Sequence, residues 1–186
     1  MRVSVLMLSI AGLVIAVSGA THAAVQYPLN LNLDAQIKSG VTTITSKVTI
    51  RVDREMLGTY RTRVTDALQH GGYANFLNTL RPTPAVGSIS IPQGTVDIHY
   101  TREEPDGSGT RLILVADRPL LLLSKDPAKT KAGLELTTVD LRFDGKGGVT
   151  GQMAGAARVR PAPDGTVLLD TIEEELVQLK GSVAKP

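Results

Sequence analysis

The stretch Arg111–Ser124, RLILVADRPLLLLS, decides how the rest of the chain has to fold. From Leu112 to Ala116 both alternating faces are apolar. The segment therefore reads as a central strand covered on both sides, and its neighbours must supply that cover. Four consecutive leucines, Leu120 to Leu123, follow Asp117-Arg118-Pro119. Four in a row do not all point inward on a simple strand, so they read as a strand covered on both faces, a buried crossing or the lip of an apolar pocket.

On the upstream side, TVDIHYTRE places Val96, Ile98 and Tyr100 on one side and Asp97, His99 and Thr101 on the other. EPDGSG then turns the chain, which makes an antiparallel hairpin the economical reading. Downstream, KDPAKTKAG reads as an exposed loop. LELTTVDLRF carries two apolar phases, Leu134 and Leu136, then Val139, Leu141 and Phe143, and the slip at Thr137 or Thr138 predicts a β-bulge. DGKGG is a turn, and GVTGQMAGAARVR presents a face of mostly small residues from Val149 to Val159 against which a helical layer can dock closely. TVLLDTI is a last strand, whereas EEELVQLKGS fits helix or strand equally.

Nearer the N-terminus, Tyr27, Leu29, Leu31 and Leu33 alternate with polar residues, and VTTITSKVTIRV repeats the pattern with Ile44, Val48, Ile50 and Val52. Both are half-buried strands. At Asp53, a candidate N-cap, the period changes to that of a helix through Met56, Leu57, Tyr60, Val64, Ala67 and Leu68. His70-Gly71-Gly72 is read as its stop, and Tyr73, Phe76, Leu77 and Leu80 as a second short helix ended by Pro82 and Pro84. The expected fold class is α+β: an antiparallel sheet or open barrel of about seven or eight strands, with a helical hairpin inserted after the second strand.

Residues 1–23 read as a secretory signal peptide, with Arg2, an apolar run from Val3 to Val17 and the small residues SGATHAA. The run is about 15 residues against the roughly 20 that span a bilayer, so no membrane span is expected once the signal is cleaved. Cleavage after Ala20 or Ala23 fits, with Ala23 preferred. Residues 24–186 are read as one domain, large enough for its own core. The location that follows is periplasmic or secreted. The chain has no cysteine, which excludes a disulfide and a thiol-linked lipid. Its 20 basic and 18 acidic residues are scattered rather than clustered, so nucleic acid is not an expected partner. Aromatic residues make up 3%, with no tryptophan, which disfavours a carbohydrate platform.

The residues for familiar chemistry are sparse. Beyond the signal the only histidines are His70 and His99, and Gly107-Ser108-Gly109 sits in a turn and lacks the GxSxG pattern. Asp97 and His99, two apart on a strand, share a face as some metal ligands do, but no third ligand is identifiable. Glu103, Glu104 and Asp106, and Glu173 to Glu175, lack calcium-loop spacing and read as solvated charge. No catalytic residue, metal or cofactor is expected. An apolar-ligand carrier would hold its cargo between sheet and helices, in a pocket lined by Leu57, Tyr60, Val64, Phe76 and Leu121.

The segments Val86-Gly87-Ser88-Ile89, Ala116-Asp117-Arg118-Pro119 and Gly147 to Val159, in that order, resemble those of an uncharacterised group of small exported bacterial proteins. The resemblance runs from about Val48 to Leu179 and implies export, with no activity to carry over. The leading functional reading is a non-enzymatic exported binding or interaction module whose partner is an envelope protein. The alternatives are a carrier of a lipid or small apolar ligand, and a hydrolase with an unrecognised site.

Overall fold

The computed structural model describes residues 25–39, 42–107, 109–123, 133–161, 167–171 and 176–183. Residues 1–24, which include the segment read as a signal peptide, and residues 124–132, which include most of the segment read as an exposed loop, lie outside them. Among the described residues nine strands and one helix follow in order: β1 (Leu29–Ser39), β2 (Thr42–Val52), α1 (Gly58–Leu80), β3 (Gly87–Ile91), β4 (Gly94–Asp106), β5 (Gly109–Ala116), β6 (Leu136–Phe143), β7 (Gly148–Pro161), β8 (Val167–Thr171) and β9 (Leu176–Val183). Every pairing is antiparallel.

Strands β1 to β7 pair each with the next, β7 then pairs with β9, and β9 pairs back onto β1. The result is a closed eight-stranded barrel, which corrects the expected α+β class and its open sheet. Closure depends on Leu176–Val183, the tail whose state the sequence left open. It is a strand, in register with β1 from Leu31↔Val183 to Gln36↔Gln178. Strand β8 pairs with the far end of β7, from Ala157↔Thr171 to Pro161↔Val167.

The expected helical hairpin is also corrected: among the described residues there is a single helical element, α1. Gly72, with φ 69° and ψ −168°, breaks it without ending it, and the positive φ explains why glycine stands there. Nor is Asp53 the N-cap. Its amide donates to Val86 O at 2.8 Å and its carboxylate accepts from Arg51, so Asp53 extends the sheet and the helix starts only after Leu57. α1 lies against β7 and, less extensively, β4. Its Val64, Leu68, Phe76, Leu77 and Leu80 join the hydrophobic cluster that includes the barrel interior. Tyr73 stands under the Arg158 guanidinium, 5.1 Å from ring centroid to Cζ.

The alternation read in the sequence maps onto the barrel wall. Leu29, Leu31, Leu33, Ala35 and Ile37 of β1 are buried while Asn30, Asn32, Asp34 and Gln36 are exposed. β5 carries the double cover that its composition predicts, in part: Leu112, Leu114 and Ala116 are fully buried and Val115 nearly so, whereas Ile113 is half-buried. The slip expected on β6 at Thr137 or Thr138 is not on that strand: β6 keeps an unbroken register with β5 through Thr137, and the irregularity beside it carries its extra residue on β7, where Leu136 pairs with Ala157 and Thr138 with Ala154. Eight strands enclose a space just wide enough for side chains to fill. Here Leu31, Leu33, Ile50, Ile89, Ile98 and Leu141 are among the large side chains with essentially no exposure.

Three residues of the leucine run, Leu120 to Leu122, form a buried crossing, and the fourth, Leu123, is exposed. Leu120 N donates to Gly155 O at 2.8 Å, Thr137 Oγ1 donates to Arg118 O at 2.9 Å, and Gln93 Nε2 donates to Leu122 O at 3.2 Å. The segment thus runs from β7 to the β3–β4 turn with Leu120, Leu121 and Leu122 buried. The small residue that matters most on β7 therefore answers to this crossing: a Cβ on Gly155 would lie 2.3 Å from Leu120 O. Gly155→Ala is expected to cost about 1–3 kcal/mol of unfolding free energy by overpacking, measured as a lowered urea midpoint with an unchanged slope.

Candidate functional site

The five residues expected to line an apolar pocket do not form one wall. Val64, Phe76 and Leu121 are buried in packing, Tyr60 is half-buried with Arg63 over its ring, and Leu57 is 63% exposed. The helical stripe that suggested a pocket is the face by which α1 joins the barrel's hydrophobic cluster.

Asp97 and His99 are not brought together either. The β4–β5 register shifts between Ile98 and Tyr100, so the alternation that would place both on one face breaks between them. Asp97 stays exposed opposite Ser88. His99 Nδ1 lies 2.6 Å from Thr83 O. A carbonyl only accepts, so Nδ1 carries the proton and Nε2 faces Asp117 Oδ1 at 3.7 Å. That oxygen is buried, is also 3.7 Å from Arg118 Nε, and has no hydrogen bond. His99 therefore clamps the exit of α1 to the exit of β5. His70 Nδ1 lies 3.1 Å from Asp66 O, within the helix.

The acidic cluster of the β4–β5 hairpin is used in structure. Arg111 holds Asp140 through two bonds of 2.9 Å and Glu104 through a third of 3.2 Å. Hydrogen bonding to Asp140 raises the Arg111 pKa against the opposing effect of burial. Asp106 pairs with Arg142 at 2.9 Å. In DGKGG, Asp144 accepts from the amides of Lys146 and Gly148, which makes it a turn rather than a phosphate loop. Ser108 and Glu173 to Glu175 lie outside the described residues. Among the described residues no three His, Asp or Glu side chains cluster as metal ligands would, and no helix is long and apolar enough to cross a membrane.

Both ends of the barrel are covered. In an antiparallel meander successive connections alternate between ends, so α1 and the leucine crossing leave from opposite mouths. At the mouth where β1 begins, Met56 N donates to the buried Thr101 Oγ1 at 2.9 Å. Beside it the Tyr27 hydroxyl and the Val25 amide donate to Glu103.

What the sequence did not suggest is a groove of about 420 Å³ on the outside of the wall, where β6, β7, β9 and β1 lie side by side. Pairing places Gln36, Gln178, Gln152 and Asp140 in one row across the four strands. Two residues along, Asp34, Lys180, Thr150 and Arg142 form a second row. Gly151 lets β7 press against β6, since a Cβ there would meet Asp140 O at 2.1 Å. The outer members are paired inside the protein: Asp34 with Lys47, Asp140 with Arg111, Arg142 with Asp106. The middle is not. Gln152 and Gln178 meet only at 3.5 Å, and among the described residues Gln36, Thr150 and Lys180 have no side-chain partner. Compared with models of protein families, with curated proteins and with solved structures, the chain matches none of them.

The Tyr27–Glu103 contact makes the covered mouth sensitive to alkali. Burial first, then the hydrogen bond and charge of Glu103, push the Tyr27 phenol well above its ordinary value of 10.0. The unfolded chain therefore releases this proton near pH 10 while the folded chain keeps it. The contribution is present in full below that pH and is lost as pH rises through it. Tyr27→Phe is expected to cost about 1 kcal/mol at neutral pH. Its urea midpoint should fall less steeply than the wild type's above pH 10.

Proposed function

We propose that this chain is an exported, non-enzymatic binding module of the bacterial envelope, engaging its partner through the outer surface of the barrel. The observation that carries this reading is the filled and covered interior. A carrier of an apolar ligand needs an enclosed space lined by side chains and a way in. In this barrel the space is occupied by large buried side chains, one mouth is crossed by Leu120–Leu122, and the other is covered around Met56 and Tyr27. Recognition then falls to the outer wall, where exposed polar side chains alternate with the buried set. Export rests on the reading of residues 1–23 as a signal peptide and on the resemblance to exported proteins. Neither a catalytic constellation nor a metal set is part of the proposal.

Native mass spectrometry of the protein taken gently from an envelope extract tests this reading. The expected mass is that of a chain beginning at Ala24, with nothing removed by organic extraction. An extractable apolar adduct would overturn the reading in favour of a carrier, and an uncleaved N-terminus would overturn export.

A further inference from the structure

We infer that the groove across β6, β7, β9 and β1 is a binding site for the carboxyl end of a short extended peptide. The inference rests on the outer-surface module proposed above and names the chemistry it recognises.

The argument starts from unused hydrogen-bonding capacity. Lys180, Thr150 and Arg142 lie in register on three adjacent strands, so an ammonium, a hydroxyl and a guanidinium line one row. Lys180 has no carboxylate within ion-pair distance among the described residues, and Arg142, paired through Nε with Asp106 at 2.9 Å, adds a second positive charge to the row. Such a row suits a carboxylate, which accepts several hydrogen bonds in one plane. Asp34 and Asp140 stand at diagonal corners of the same groove. Their charge admits a single negative charge between the cations and opposes a dianion such as phosphate.

The second row selects what is attached to that carboxylate. Gln178 and Gln152 each offer an amide donor and an amide acceptor, the complement of a peptide group. The two rows are two residues apart along the strands, about 7 Å, the length of two residues of extended peptide. A peptide lying along β7 and β9 with its terminal carboxylate at Lys180 and Thr150 therefore sets a backbone amide over the glutamines. No aromatic ring lines the groove, which sets it apart from sites that stack a sugar face.

Trialanine is the probe, titrated into the ¹⁵N-labelled protein beginning at Ala24 and followed by amide chemical shifts, with trialanine amide, sodium phosphate and di-N-acetylchitobiose in parallel. Trialanine should bind saturably with shifts centred on Thr150–Gln152 and Gln178–Lys180. Its C-terminal amide should bind more weakly by up to about fivefold, the upper end for one exposed charge pair. Lys180→Met should weaken trialanine to the same degree while leaving its amide unchanged, and Gln178→Ala should weaken both. Each residue is exposed, and an unchanged spectrum away from the groove shows that the variants fold. Equal binding of trialanine and its amide, shifts centred elsewhere, or chitobiose or phosphate binding where trialanine does not would each overturn the inference. A silent groove with a bare mass in the extract overturns only this site, whereas an extractable adduct overturns the outer-surface reading itself.

Discussion

The seam between β9 and β1 is the constraint on which the rest of this structure depends. A sheet of antiparallel strands leaves backbone donors and acceptors unpaired along its two edge strands unless those edges meet. Here the last described strand reaches the first, and the pairing from Leu31↔Val183 to Gln36↔Gln178 joins positions nearly the whole domain apart in sequence. Close approach at the seam is exacting: a Cβ on Gly181 would lie 2.5 Å from Asn32 O. Once closed, the wall encloses a space that eight strands make narrow, and the leucines and isoleucines of alternate positions fill it.

Closure also explains the leucine crossing. A filled barrel still has two mouths where apolar side chains would face water. The chain covers one of them with a segment whose backbone cannot join a ladder. That segment has to be apolar, yet its amides and carbonyls need partners. Leu120 finds the carbonyl of Gly155, Leu122 the side chain of Gln93, and Arg118 the hydroxyl of Thr137. The bulge beside Leu136 and the glycine at 155 belong to the same solution, because together they open β7 to a backbone that arrives from outside its own ladder.

Strands were legible in the sequence wherever one face was buried and the other wet, as in β1 and β2, because burial on one side imposes a period of two. The phase slip at Thr137–Thr138 marked the right place but the wrong strand, since the extra residue lies on β7 between Ala154 and Ala157. Closure was not legible. Leu176–Val183 alternates over only a few residues behind three glutamates, and its partner is far away in sequence. The helix break at Gly72 was read as an end, since a glycine with positive φ terminates helices more often than it bends them. For the site, the helical stripe of Val64 and Phe76 was correctly seen as apolar but assigned to a pocket, whereas it joins the packed core. His99 looked like a partner of Asp97 because a regular strand would make it one; the bulge at Ile98–Tyr100 hands it to Thr83 and Asp117 instead.

The groove was invisible for a deeper reason than weak signal. Its eight polar side chains come from β1, β6, β7 and β9, and each alone is an ordinary solvent-facing position on an amphipathic strand. Nothing in the spacing of Asp34, Asp140 and Lys180 hints that they are neighbours; the pairing of β7 with β6 and with β9 brings Asp140 and Lys180 together, and the closing seam adds Asp34. The same pairing that hides the sheet edges therefore completes the polar surface, adding Asp34 and Gln36 to rows already aligned on β6, β7 and β9. A change that loosens the seam at Gly181 would separate Lys180 from Asp34 and part the two glutamines that face each other across it, Gln36 and Gln178, before it exposed the core. The β1 side of the outer groove, at Asp34 and Gln36, therefore reports the integrity of the barrel more directly than the side on β6 and β7, because it alone depends on the strand pairing formed between the most distant parts of the chain.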